Sequence, residues 1–376
     1  MPMRVGLNLH AHDDFRSAAL PLFEADQVEI LEYSFDTGWS GEPDWLAELV
    51  NYYSESRRLL GHGVQFSALS GMAHPLQDQW LDNLRREVAR RNYTDISEHF
   101  GFMTTASFHD SAPLPVPRSR RALELGRARL AQLRAIAGVP VGLENLAFAF
   151  GPHDVREQGA FLAELLAPAA GSDGSGDDGF LLLDLHNIYC QMYNFDVRAD
   201  ALLDLYPLQR VRELHVSGGS WSQFEFGKFR RDTHDGDVPE EVYDLVTIAL
   251  ERCPHVEAVI FERLGGTLPT EAQRNAFRDD YRRLRELVRS YQPLKNRRPR
   301  LIPTPSPITE GHDDVELWNF QTALLELLSQ PLSAQEKLAR LETDTAFESY
   351  RDYVKTFDLR SIAVASELVL KWGQTY

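Results

Sequence analysis

Residues 180–187 read FLLLDLHN, an apolar run that breaks into Asp184, His186 and Asn187. A run this apolar suits a strand buried on both faces, as in a parallel sheet covered by helices. Polar groups gathered at its C-terminal end are what such a sheet presents at its carboxyl edge. The same signature recurs in both directions from here. Upstream lie strands at 3–9 (MRVGLNL), 28–33 (VEILEY), 62–69 (HGVQFSAL), 95–103 (DISEHFGFM) and 139–145 (VPVGLEN). The 180–186 strand is followed by 211–217 (VRELHVS) and 256–262 (VEAVIFE).

Helical periodicity fills the gaps at 12–25, 43–60, 78–91, 119–137, 154–167, 198–206, 239–251 and 270–290. Pro43 before DWLAELV and Pro239 before EEVYDLV read as first helical positions, where a missing N–H costs nothing. Eight strands, each followed by a helix, predict an α/β fold of the (β/α)8 TIM-barrel type with a small C-terminal helical extension.

Composition narrows the function classes. The chain has 376 residues, 39 Lys+Arg against 56 Asp+Glu, and a formal net charge of −17. Such acidity opposes sequence-independent binding to nucleic acid, which needs clustered cations against phosphate. No run approaches the roughly 18 apolar residues of a membrane span. Cys190 and Cys253 are the two cysteines, too few for a disulfide framework or a Cys-rich zinc site. A cytoplasmic, reduced protein that binds neither nucleic acid nor membrane is expected.

Two stretches interrupt the alternation. AAGSDGSGDDG (169–179) reads as a surface loop, and QPLKNRRPRLIPTPSPIT (292–309) as an extended linker. Beyond it, VELWNFQTALLELL, SAQEKLARL, AFESYRDYVKTF and SIAVASELVLKW carry apolar residues at helical spacing. The expected organisation is therefore a barrel at 1–291, a Pro-rich linker at 292–311 and a helical extension at 312–376. About 65 residues are marginal as an independent domain, so the extension should pack on the barrel or on a partner.

In a barrel of this type the chemistry sits at the C-terminal ends of the strands. Strand four ends in Glu98-His99, strand five in Glu144-Asn145, strand six in Asp184-Leu185-His186-Asn187 and strand eight in Glu262-Arg263. Strand seven carries His215, strand three opens with His62, and DTHDGD follows strand seven with Asp232, His234, Asp235 and Asp237. Singly, each has an ordinary explanation: a core histidine with a hydrogen bond, a carboxylate facing an Arg, a solvated turn. Together they would be costly to bury without a cation, because like carboxylates repel and each loses hydration. A mixed His/carboxylate set without Cys suits iron, manganese or zinc, and its size suits more than one ion. Gly218-Gly219 and Gly265-Gly266 lie where barrels often bind phosphate or simply turn. Cys190 has no adjacent base in the sequence and reads as a packing residue. His10 and His12 stand at the mouth end of strand one, within reach of a substrate. No GxSxG, Walker A or GxGxxG is present.

HGV (62–64), SEHFGF (97–102), HD…PLP (109–115), GLENLAF (142–148) and LLDLHNIY (182–189) occur in that order, followed by ELHVSGG (213–219), DTHDGDVPEEVYDL (232–245) and IFERLGG (260–266). In these pieces, which span about residues 1–290, the chain resembles the multinuclear non-haem iron-dependent oxidative enzymes, the family that includes the methanobactin-biosynthesis oxidase. The resemblance implies a TIM barrel holding two or three iron ions in mixed Fe2+/Fe3+ valence. It implies metal ligands at His62, His99, Glu144, Asp184, Asn187, His215, Asp232, His234 and Glu262, with Glu144 and Glu262 as bridging candidates. His10, His109 and His186 become candidates for substrate contact. The chain departs from the family where SDH is replaced by Ser97-Glu98-His99, where His186 replaces the first of two Asn, and where Glu32 lacks its usual Asn neighbour.

By the same resemblance the activity is an iron- and O2-dependent oxidation of a ribosomally made precursor peptide, commonly at a cysteine, aided by a partner protein that binds the leader. The competing readings are a multi-zinc hydrolase or sugar-isomerase-like enzyme on the same barrel, and a non-catalytic binding module.

Overall fold

The computed structural model describes residues 3–167, 179–291 and 313–375. The Gly/Ser/Asp-rich stretch from 169 to 178 and the Pro-rich segment 292–311 lie outside them. The strands are β1 Arg4–Leu9, β2 Ile30–Tyr33, β3 Leu59–Gly63, β4 Ile96–His99, β5 Phe108–His109, β6 Val141–Glu144, β7 Phe180–Asp184, β8 Val211–Val216, β9 Trp221–Phe224, β10 Gly227–Arg230, β11 Ala258–Phe261 and β12 Gln374–Thr375. Eight of them, β1-β2-β3-β4-β6-β7-β8-β11, close into a parallel barrel in which β11 pairs back onto β1. Helices follow the barrel strands, as a right-handed β-helix-β connection requires. The barrel with its C-terminal helices is the architecture expected from the alternation. Among the described residues no helix is long and apolar enough to cross a membrane.

Strand alternation divides the side chains. One set of strand residues, including Val5, Leu7, Leu31, Leu143, Leu183, Leu214, Val259 and Phe261, joins the large core between sheet and helices. The other set points inward, where Ile30, Leu60, Ala258 and Ile260 form a separate apolar cluster. Two residues further along each of three strands, the inward positions become Glu32, His62 and Glu262.

Local structure departs from the sequence reading in four places. The third strand runs 59–63 rather than 62–69, because Arg57 takes a left-handed φ of 53° after the helix Asp44–Glu55 and releases Leu59 to pair with Leu31. His62 thus sits near the C-terminal end of its strand instead of opening it. Strand four stops at His99, and the chain after it carries the short β5. After β7 the expected strand continuation is a helix, Leu185–Phe195, capped by the Asp184 carboxylate accepting from the Asn187 N–H at 2.5 Å. The fourth departure is an antiparallel hairpin, β9–β10, which precedes the DTHDGD segment. Pro43 and Pro239 stand one position earlier than expected, as N-caps.

The C-terminal helices Val315–Ser329, Ala334–Thr343, Arg351–Val354 and Leu359–Trp372 pack on the barrel. Gln321 bonds both Leu69 O and the Gly71 N–H at 2.8 Å, and Gly71 lies so close to the Trp318 backbone that a Cβ would collide with it. Phe357 stacks on Phe150 at 4.2 Å, Arg360 donates to Asn194 O, and β12 pairs antiparallel with β5. Leu69, Gly71 and Phe150 lie on the segments that follow β3 and β6, so the extension is held in part by connections leaving the C-terminal ends of barrel strands.

Candidate metal centre

The centre is built from the upper inward positions of the barrel. Register places His99 opposite Glu144, Asp184 opposite His215 and Asn8 opposite Glu32. Ligating atoms within 4.8 Å of one another occur in overlapping groups: His62, His99 and Glu144; Glu144, Asp184 and His215; Asp184, His234 and Glu262. Glu144 links the first two and Asp184 the last two, which makes a continuous cluster across the barrel. Asn187 joins through Nδ2, 3.1 Å from Glu144 Oε1, and Asp232 through Oδ1, 2.8 Å from His234 Nε2. The structure therefore gathers all nine residues singled out as ligand candidates.

Two features fit this set to cations rather than to an internal hydrogen-bond network. First, six buried atoms in it lack a hydrogen-bond partner: His99 Nδ1, Asp184 Oδ2, Asn187 Oδ1, His215 Nδ1, His234 Nε2 and Glu262 Oε2. Buried polar atoms are rarely left so. His215 Nδ1 and Glu262 Oε2 approach to 3.0 Å without hydrogen-bonding direction, as two ligands facing a common ion would. Second, the outer contacts orient the rings. His62 Nδ1 lies 2.9 Å from Ser97 Oγ, which turns Nε2 toward Glu144 Oε2 at 3.4 Å. His215 Nε2 lies 3.0 Å from the fully buried Glu32, whose other oxygen accepts from Asn8 Nδ2. A carboxylate behind a ligating imidazole is the usual arrangement in metal sites.

Proton affinities diverge within the cluster. Burial, with Asp184 and Glu262 nearby, pushes Glu144 well above the usual carboxylate range, and burial with Asp232 and Glu262 does the same to Asp184. Burial would also raise Glu262, but His215 and His234 outweigh it and hold it at about 2. Burial would lower His215, yet Glu262 and Glu32 lift it well above its ordinary value. Paired charges of both signs in one buried site, with two carboxyls that resist ionising, form an environment that a divalent ion would relieve.

The three substrate candidates are placed differently. His10 is half-buried, edge-on to Phe15, and burial lowers it to about 4 despite Glu262 nearby. His109 stands outside the ligating groups, with Nδ1 2.9 Å from Asp110 and its backbone paired with Gln374. His186 is fully buried with its ring nitrogens facing Asp232 and Arg230. Cys190 does have an imidazole beside it, with His186 Nδ1 at 3.8 Å, because the unforeseen helix makes them i and i+4. It is nonetheless fully buried, and burial pushes its thiol up. Glycine pairs 218–219 and 265–266 serve close packing: a Cβ at Gly218 would strike Asp237 O, and one at Gly265 the His12 ring. Sequence reading also passed over Ser97, Glu213 and Arg230. Glu213 lay open to detection, being two residues before His215 on one strand and hence on the same inward face.

The family model described as "RiPP precursor modification enzyme MbnB/TglH/ChrH" matches residues 8–276, which include every ligand candidate. Similar relatives are UPF0276 proteins of Acinetobacter baylyi (26% identical over 260 residues, 69% of this chain and 84% of that one) and Caulobacter vibrioides (27% over 257 residues, 68% and 85%). A third, from Acaryochloris marina, is 31% identical over 202 residues, 53% of this chain and 67% of that one. Among solved structures an L-ribulose 3-epimerase is similar at 13% identity and a TM-score of 0.45, covering 77% of this chain and 92% of that one. The chain belongs to the MbnB/TglH/ChrH family of RiPP precursor modification enzymes.

Proposed function

We propose that this protein binds two or three iron ions in the barrel mouth and uses O2 to oxidise a ribosomally made precursor peptide at a cysteine side chain. The observation that carries the reading is the set of buried, unpartnered donor atoms on His99, Asp184, Asn187, His215, His234 and Glu262, in a chain whose family acts on such precursors. Imidazole, carboxylate and amide donors without thiolate suit iron in both common oxidation states.

His62, His99, Glu144, Asp184, Asn187, His215, Asp232, His234 and Glu262 would hold the ions, and Glu144 and Glu262 touch enough neighbours to bridge. When bound, iron would supply O2 activation and one-electron oxidation of the substrate, chemistry that no side chain here provides. The protein's own part is orientation. Ser97 fixes the His62 ring, and Glu32 fixes His215. His10, kept neutral by burial, offers an uncharged contact to a peptide entering over β1. The extension, anchored on loops at the mouth, suits docking of a leader-binding partner, or partial replacement of one. Two buried free thiols, Cys190 and Cys253, accord with a reduced cytoplasm.

The test is elemental analysis with Mössbauer and EPR spectroscopy on protein purified without air. Two or three irons per chain, with a coupled mixed-valent signal that changes on O2 exposure, is the expected result. Stoichiometric zinc that survives dialysis would replace this reading with a hydrolase or isomerase. A protein that takes up no metal after supplementation would refute both.

A further inference from the structure

His186 is fully buried on the first turn of the helix Leu185–Phe195, with Asp232 on one side and Arg230 on the other. Its Nδ1 is 2.8 Å from Asp232 Oδ1 and its Nε2 is 3.3 Å from an Arg230 Nη. A guanidinium only donates, so Nε2 must face it with a lone pair. The single ring proton of a neutral imidazole then sits on Nδ1, where it donates to a carboxylate that only accepts. Both nitrogens are committed, and neither keeps a lone pair for a metal.

The neighbours hold this arrangement. Arg230 exchanges backbone hydrogen bonds with the Asn194 side chain at 2.7 and 3.0 Å, and its guanidinium lies over Tyr189 at 5.1 Å and Trp221 at 5.4 Å. Gly219 presses against His186 Cε1, closely enough that a Cβ would collide with the ring edge. The ring is therefore clamped, and it is wedged beneath Asp232, one of the nine side chains proposed to hold the ions.

We propose that His186 is a positioning residue for Asp232, and that the chain Arg230–His186–Asp232 ties the β9–β10 hairpin to the metal centre. The proposal rests on Asp232 being a ligand. It assigns His186 neither to the ligands nor to the substrate-contacting groups. Outer partners of this kind typically tune metal affinity by about 10–100-fold.

The experiment is an anaerobic titration of apo-protein with Fe(II), and separately with Zn(II), in wild type and in His186→Ala, His186→Asn and His186→Gln. The Asn amide nitrogen falls where Nδ1 was and keeps the donor to Asp232, whereas the Gln amide falls near Nε2, where its oxygen accepts from Arg230 and no donor is left toward Asp232. The expected result is unchanged stoichiometry throughout, with one ion bound about 10–100-fold more weakly in the Ala and Gln variants and restored within about threefold by Asn. Pulsed EPR of the iron-loaded protein should count the same number of coordinated imidazoles in wild type and His186→Ala. Loss of an ion or of one coordinated imidazole in the Ala variant would show His186 to be a ligand and overturn the proposal. Equal weakening by Asn, Gln and Ala would overturn it as well. A wild type that binds only zinc would refute the iron reading, while the order of the variants toward zinc would still decide the role of His186. Absence of binding by either metal would end both.

Discussion

Two adjacent rungs inside the same barrel are built on opposite principles. The lower rung holds Ile30, Leu60, Ala258 and Ile260, whose burial is favourable in itself. The rung above holds Glu32, His62 and Glu262 on the same three strands, with His215, Glu144 and Asp184 beside them, and its burial is unfavourable unless charge is compensated. The backbone geometry is identical, since both sets sit on the inward side of the same pleat. A stable closed barrel thus acts as the frame that lets a costly cluster exist at one end.

The largest effect should come from breaking the upper rung. Glu144→Ala removes the residue shared by two ligating groups, and we expect loss of at least one iron per chain and a drop in peptide oxidation beyond the hundredfold typical of outer partners. Metal content and peptide mass spectrometry measure this; a fully loaded variant would show that the polar rung is structural.

The lower rung should respond in the opposite sense. Leu60→Ala should cost about 2–5 kcal/mol of stability, a fall in Tm of roughly 3–6 °C, while iron per folded chain stays unchanged. Calorimetry beside metal analysis checks both halves. Loss of metal at constant stability would mean that the rungs are not separable.

Chelation compares the rungs without mutation. Binding at a hundred times Kd stabilises a fold by about 2.7 kcal/mol, so stripping the metal should lower Tm by several degrees in wild type but hardly in Glu144→Ala.

The smallest effect concerns a buried carboxyl outside the centre. Asp154 belongs to none of the ligating groups found among the described residues, and burial raises it to about 7 although Oδ2 accepts from the Phe150 N–H. The folded state therefore holds a proton that the unfolded chain releases near pH 4. The stability from this group is present below that pH and is lost as pH rises toward 7. Asp154→Asn should leave stability at pH 4 nearly unchanged and raise it at pH 8 by about 1–3 kcal/mol. Denaturant unfolding at the two pH values reads this directly, and equal effects at both would show that Asp154 is already ionised in the fold.

Much of the site was legible because strand alternation is short-range. A polar residue at a strand tip stands out against the apolar run before it, which marks Glu144, Asp184 and Glu262, and counting in twos from Leu182 and Ile260 puts Asp184 and Glu262 on the inward face. The His62 strand was misplaced because RLLGHGVQFSAL contains two apolar runs, and the choice between them turned on the left-handed turn at Arg57. The helix starting at Leu185 was hidden because Asp184 serves as both last strand residue and helix cap, and Leu185 and Ile188 continue either pattern. That one error also concealed the neighbourhood of Cys190 and His186.

By itself, then, the sequence determined the alternation of strand and helix, the barrel it implies and which strand tips carry ligating groups, because hydrophobic period and residue chemistry are local properties. The tertiary structure alone decided what stands behind each of those groups. Glu32 behind His215, Ser97 behind His62, Arg230 behind His186 and the pairing of β12 with β5 join residues separated by 35 to 183 positions or by a whole segment of chain. Such pairings are set by closure of the barrel and the packing of its helices, and no spacing along the chain encodes them.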